Sequence, residues 1–247
     1  MTKDDFIFGR NAVTEALTAG RSINKIFLAE GTRDNSVKKI LDLARAAGVV
    51  FEFVSRSKLD KISEGARHQG VIAQAAAVQF ATLEEIFALA EEKKEPPFII
   101  LLDELEDPHN FGAILRTADA VGAHGVIIPK RRSAPLNSTV AKTSAGAVEY
   151  VKVAQVTNVA QTLKIFRDMN LKIVGSDMDG DKNFSDADLT GGIVLIIGSE
   201  GKGMRRLTRE NCDLLVKIPM VGKINSLNAS VAGAVLMYEI FRRRNLS

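Results

Sequence analysis

The chain of 247 residues carries 33 Lys and Arg against 30 Asp and Glu, a net charge of +3, with 46% hydrophobic and 26% charged residues. That composition excludes a disordered chain, and so mild a charge does not by itself mark a polyanion-binding protein. One cysteine, Cys212, excludes an intramolecular disulfide framework, and three histidines beside it leave little material for a structural zinc site, so no metal is expected.

The opening MTKDDFIFGR has acidic residues where a signal peptide has a basic n-region, and no stretch is long and apolar enough for a membrane span, so a cytoplasmic protein is expected. A helical pattern over residues 11–19 precedes an apolar run at Ile26, Phe27 and Leu28. A helix at 35–47 ends at Gly48, a strand follows at 49–54, a helix at 58–62 and a strand at 71–78. This alternation reads as a small α/β module. Residues 81–97, ATLEEIFALAEEKKEPP, form an acidic seam of net charge −3 closed by a proline pair, a short helix and then a stiff break. The flanking pieces each carry +3, which predicts a module at 1–80, a linker at 81–97 and a second domain at 98–247. In that domain short apolar strands are expected at 98–102, 125–128, 148–153, 171–175, 193–197 and 214–218, with helices between them, as in a doubly wound parallel sheet covered on both faces. The final helix, 229–244, has an apolar stripe and ends in Arg242, Arg243 and Arg244, cations suited to a helix C-terminus.

Ligands of open parallel sheets bind beyond the carboxyl ends of the strands, so the chemistry is expected in three loops. The first follows residue 102 and enters a helix through Asn110, a candidate cap, with Arg116 on its second turn. It is neither a GxGxxG turn nor a phosphate loop, which disfavours a dinucleotide or nucleoside triphosphate. A cap plus a surface salt-bridging Arg is the plainer alternative. The second loop, after 197, holds Gly198, Gly201 and Gly203 around Glu200, glycines that let backbone approach a ligand or simply turn the chain. The third, after 218, offers Asn225, Ser226, Asn228 and Ser230, more polar groups than one helix cap requires.

The three loops in this order, N-F-G-A-I-L-R-T-A-D-A from 110, I-I-G-S-E-G-K-G-M from 196 and I-P-M-V-G-K-I-N-S-L-N-A-S-V-A from 218, resemble the SpoU (also called TrmH) family of RNA ribose 2′-O-methyltransferases, in the SPOUT superfamily. F-G-R-N-A-V-T-E-A-L from 8 and R-H-Q-G-V from 67 are similar to the N-terminal RNA-binding module of its two-domain members. The likeness spans essentially the whole chain, and it is nearest to the subgroup that methylates a guanosine of large-subunit ribosomal RNA.

The resemblance implies a parallel C-terminal sheet tied in a deep trefoil knot, a small N-terminal α/β RNA-binding domain, a homodimer, and S-adenosylmethionine as methyl donor. By the same resemblance Ile197, Gly198, Ile218, Met220, Ser226 and Leu227 hold the donor. Arg116 becomes the catalytic residue, with Asn110, Glu200, Ser226 and Asn228 around it. A free guanidinium stays protonated far above neutral pH, so either the site depresses Arg116 strongly or Arg116 chiefly orients the RNA phosphate and hydroxyl. Glu200 either pins the Arg116 fork or bonds neighbouring loop amides. The transfer is an in-line displacement in which positioning supplies much of the rate. Arg10, Arg67 and His68 in the module, with Lys130, Arg131 and Arg132 in the second domain, are the candidate phosphate contacts, while His68 also suits a structural role. Two alternatives stand beside ribosomal RNA methylation: the same reaction on tRNA, and a non-catalytic RNA-binding protein.

Overall fold

The computed structural model describes residues 6–32, 34–75, 79–223 and 226–245. They fall into two compact units, Met1–Gln79 with Pro135–Tyr150, and Phe80–Ala134 with Val151–Ser247.

The first unit starts with β1 (Phe6–Phe8), α1 (Arg10–Thr18), β2 (Ile23–Ala29), α2 (Asn35–Ala46), β3 (Val50–Val54), α3 (Arg56–Ser63) and β4 (Val71–Ala75). Asp34 caps α2 by accepting from the N–H groups of Ser36 and Val37, and Ser55 caps α3. The sheet order is β1-β4-β2-β3, and β2 and β3 are parallel while β4 runs antiparallel to both β1 and β2. One face packs Ile7, Ile26, Leu28 and Ala73 against Val13, Leu17, Val37 and Ile40 of α1 and α2. The other packs Phe8, Val54 and Ile72 against Leu59 of α3. β1 is the strand that pattern reading passes over, being three residues long. The strand expected through residue 78 is described to Ala75, because 76–78 lie outside the described residues.

In the second unit α4 (Leu83–Lys93) leads to β5 (Phe98–Asp103), α5 (Pro108–Ala120) and β6 (Gly125–Pro129). The chain then passes back to the first unit through Pro135–Tyr150, which carries α6 (Ser138–Thr143) and a 3-10 turn at Ala147–Glu149. It returns as β7 (Val153–Val156), α7 (Val159–Asp168), β8 (Lys172–Ser176), β9 (Lys182–Asn183), β10 (Ile193–Gly198), α8 (Arg206–Glu210), β11 (Leu214–Lys217) and α9 (Ala229–Asn245). The sheet is parallel throughout, in the order β7-β6-β5-β10-β8-β11-β9.

Three findings correct the chain-order reading. The stretch 81–97 contains α4, fixed by a capping box between Thr82 and Glu85, whose Ile86 is fully buried among Ile99, Ile127 and Phe166 of the second unit. It is part of the second fold and not a tether. The strand expected at 148–153 is a 3-10 turn followed by a strand at Val153–Val156; Val148 and Val151 are buried by packing and lie outside the ladder. Pro135–Tyr150 packs with the first unit, where Arg21 Nη1 meets Glu149 Oε1 at 2.7 Å with both side chains mostly buried, 11% and 7% exposed.

Candidate active site

All seven strands run the same way, so the loops after β5, β10 and β11 emerge at one edge of the sheet. From β5 the chain winds outward through β6 to β7, whereas β10 is inserted on its other side, which makes the β5/β10 boundary the switch point where α/β sheets open a crevice. In register Gly198 lies beside Asp103.

The Asp103 carboxylate, fully buried at the end of β5, accepts the backbone N–H of Arg205 and its Nε, each at 2.8 Å, and Arg205 Nη2 reaches Oδ1 at 2.7 Å. This ties the far end of the glycine loop to the neighbouring strand. Inside the loop Ser199 and Gly203 exchange backbone hydrogen bonds of 3.0 and 2.9 Å, and Gly201 and Gly203 have φ of +75° and +66°. A Cβ on Gly198 would run into the backbone of Gly203 and Met204. The glycine at 198 therefore serves the loop's own fold-back, a different reason from the ligand approach expected of it.

Glu200 stands on that loop. Its Oε1 accepts from Asn110 Nδ2 at 2.5 Å and from Asn228 Nδ2 at 2.6 Å, so one carboxylate oxygen joins side chains from all three strand-end loops. Asn110 is not the cap of α5. Asp107 is, accepting from His109 and Asn110 N–H groups with Pro108 in the first turn, and this places Asn110 one turn in, buried, with its amide aimed at Glu200. Asn228 does cap its helix: Oδ1 accepts from Ser230 N and Oγ and from Val231 N, which leaves Nδ2 to reach Glu200. Glu200 thus bonds two side-chain amides, neither the loop N–H groups nor the Arg116 fork. Arg116, exposed on α5, has no hydrogen-bond or ion-pair partner among the described residues.

The remaining expected residues are spread more widely. Ile197 is buried, Gly198 and Ile218 are half-buried, and Met220, Leu227 and Ser226 are exposed on the loop after β11; Met220 and Leu227 present apolar surface of 40% and 38% exposure. Asn225 lies outside the described residues. Lys130 and Arg131 are exposed, while Arg132, at φ +57°, pairs with Glu104 at 3.0 Å. In the first unit Arg10 is committed to Asp34 at 2.8 Å, Ser36 and the Gln69 carbonyl. His68 is buried: Nδ1 accepts the Gly70 N–H at 3.0 Å, so Nε2 carries the proton and donates to Asp60 at 2.9 Å. Of the candidate phosphate contacts, Arg10 and His68 are thus engaged within the first unit, His68 in the structural role that also suited it. Burial pushes the Cys212 thiol up to about 12, which keeps it an inert small residue. Sequence reasoning missed Asp103 and Arg205, although an Asp closing an otherwise apolar strand run was the available signal.

Among the described residues no cluster has the makings of a metal site and no helix is long and apolar enough to cross a membrane. What remains is an edge with apolar side chains, a clasped carboxylate and, among the described residues, the unpaired guanidiniums of Arg116 and Arg131, a set suited to a methyl donor without phosphate and to a hydroxyl acceptor on a polyanion. The class so defined is an S-adenosylmethionine-dependent RNA 2′-O-methyltransferase. Residues 97–238 match the SpoU rRNA Methylase family and residues 6–81 match the RNA 2′-O ribose methyltransferase substrate-binding family, and the chain belongs to the SpoU (TrmH) family. It is 50% identical over 241 residues to the "Putative TrmH family tRNA/rRNA methyltransferase YacO" of Bacillus subtilis strain 168, covering 98% of this chain and 96% of that one. The fold is similar to that of the SpoU methyltransferase AviRb from Streptomyces viridochromogenes in complex with AdoMet, with TM-score 0.81, 24% identity, and coverage of 96% and 89%. It is also similar to the A. aeolicus TrmH/SpoU tRNA modifying enzyme, with TM-score 0.57 and 31% identity over 66% of this chain and 84% of that one.

Proposed function

We propose that this chain methylates the ribose 2′-OH of a guanosine in large-subunit ribosomal RNA, as a cytoplasmic homodimer. The observation that carries the site assignment is the Glu200 clasp on Asn110 and Asn228, with Arg116, which has no partner among the described residues, two turns along the helix that carries Asn110. In this reading Arg116 is the catalytic residue: its fork holds the acceptor hydroxyl and an adjoining phosphate. Asn110, Glu200 and Asn228 hold the three loops in one arrangement, and Ser226 completes the polar side. Ile197, Gly198, Ile218, Met220, Ser226 and Leu227 hold S-adenosylmethionine, which supplies an activated methyl on a sulfonium. The apolar side chains of Ile218, Met220 and Leu227 suit an adenine slot. The trefoil knot implied by the family resemblance belongs to the same reading.

Arg67, Lys130 and Arg131 are the phosphate contacts that keep open cations, with Arg132 joining them once it leaves Glu104. Residues 1–80 act as the substrate-binding part. Support for ribosomal RNA comes from that extra part, since the tRNA modifying enzyme named above corresponds to only 66% of this chain. The relative's name, which includes tRNA, keeps tRNA as the second reading. Self-association is supported by α9, where Val235, Tyr238 and Phe241 line an open groove with Phe184. The test is 2′-O-methylation mapping of ribosomal RNA and tRNA from cells lacking the protein. Loss at one large-subunit guanosine is expected; loss in tRNA alone overturns the ribosomal assignment. Sedimentation of the purified protein as a monomer overturns the dimer.

A further inference from the structure

The first unit holds a cleft of which the reading above uses only Arg67. Arg56, Asp60 and Ser63 lie one turn apart along a face of α3, and with Gly65, Arg67 and Gln69 of the next loop they line a cavity of about 370 Å³. That volume falls inside the roughly 300–1,000 Å³ range of small-ligand sites. The wall is a built structure. Glu64, Gly65 and Gln69 have φ of +45°, +90° and +51°, and two of these are non-glycine residues in the left-handed region. Buried His68 braces the loop, bonded to Gly70 on one side and to Asp60 of α3 on the other.

The arginines of this cleft differ from the other described arginines of the N-terminal stretch. Arg10, Arg21 and Arg45 are each engaged by a carboxylate. Arg56 and Arg67 are exposed and have no hydrogen-bond or ion-pair partner among the described residues, yet both line the one cavity. Two guanidinium forks on one cavity are suited to a phosphate. Asp60 narrows the choice further, because its Oδ1 is taken by His68 while Oδ2 stays open as an acceptor. A carboxylate repels a bare phosphate but accepts from the hydroxyl or amino groups that a nucleotide carries beside its phosphate. Gln69 Oε1 is taken by the Arg10 N–H, which leaves its amide NH₂ as a donor.

We propose that this cleft seats one unpaired nucleotide of the RNA, its phosphate between Arg56 and Arg67 and its ribose hydroxyl or base edge on Asp60. The inference rests on the reading that the chain acts on RNA, and it adds a site built from first-unit residues alone. His68, in the wall of the cleft, keeps Asp60 and the loop in place.

The test is fluorescence anisotropy on the full-length protein with a labelled 12-nucleotide single-stranded RNA of mixed sequence, across a salt series. The Arg56→Ala/Arg67→Ala variant is expected to bind about tenfold more weakly, with a salt slope smaller by about 1.4, since each lost phosphate contact on a single strand removes about 0.7. The control Lys38→Ala/Lys39→Ala removes the same charge from exposed positions of α2 and is expected to stay within about twofold of the parent. Unchanged S-adenosylmethionine binding by calorimetry shows that the Arg variant has kept its second unit. Equal losses in both variants, or no loss in either, overturn the cleft while leaving RNA binding standing. A parent protein that fails to bind RNA overturns the cleft and the functional reading together.

Discussion

The fully buried carboxylate of Asp103 gives the sharpest test of how the glycine loop is held. Replacing Arg205 with Ala leaves that carboxylate with one backbone N–H where it now has three donors, at 2.8, 2.8 and 2.7 Å. Stranding a buried charge in this way costs about 3–5 kcal/mol, and the 43% exposure of Arg205 puts this pair at about 3, because water reaches part of the gap. Replacing Asp103 instead frees a guanidinium that turns to solvent and to Glu104, now 3.6 Å away, so about 2 kcal/mol is expected. The double variant leaves neither charge stranded, and a coupling of about 1–2 kcal/mol should bring its cost to about 3–4 kcal/mol, below the sum of about 5 for the two single variants. At this size about 1 kcal/mol moves Tm by about 2–4 °C, so Arg205→Ala should melt about 6–12 °C lower by scanning calorimetry. Costs that simply add in the double variant refute the pairing as the source of the effect.

Further outcomes follow from the same geometry. Arg116→Ala should lower methyl transfer to RNA by about 10²–10³ with Tm unchanged, because the side chain has no partner to lose among the described residues; near-normal turnover removes Arg116 from the mechanism. Asn228→Asp keeps the Oδ1 cap of α9 but sets a second carboxylate against Glu200, so transfer should fall while circular dichroism stays constant; retained activity sinks the clasp. Burial holds the His124 imidazole below its ordinary 6.5, Glu95 opposing only in part: Nδ1 accepts the Phe98 N–H, and Nε2 lies 3.2 Å from Glu95 without hydrogen-bond geometry. The unfolded chain therefore takes up a proton that the native chain resists. Stability should decline as pH drops below about 6.5, by at most about 1.4 kcal/mol per unit, in urea titrations. A His124→Gln protein that shows the same decline rules this histidine out as its source.

Much of the second unit was legible because strands buried on both faces read as unbroken apolar runs, as Phe98–Asp103 and Ile193–Gly198 do. The segment Pro135–Tyr150 was not, since its place depends on contacts such as Arg21 with Glu149, 128 positions apart, which no local pattern encodes. The cap of α5 was misplaced by one turn although Asp107 followed by Pro108 was a readable start signal; Asn110 drew attention for a function its burial now makes distinct from capping. For Glu200 the sequence offered two kinds of partner, and the structure supplied a third, because only the fold brings residues 110 and 228 to it. His68 was readable as either ligand or strut, and the Gly70 amide decided for the strut.

The chain passes between its units three times, near residues 79, 134 and 150. A module hung on one linker can be exchanged between genes by a single recombination event. Here the module contains a stretch borrowed from the middle of its neighbour, so a transplanted N-terminal half would leave Arg21 facing whatever the recipient carries in place of Glu149. An alteration at either Arg21 or Glu149 is therefore felt by a partner 128 positions away in the chain.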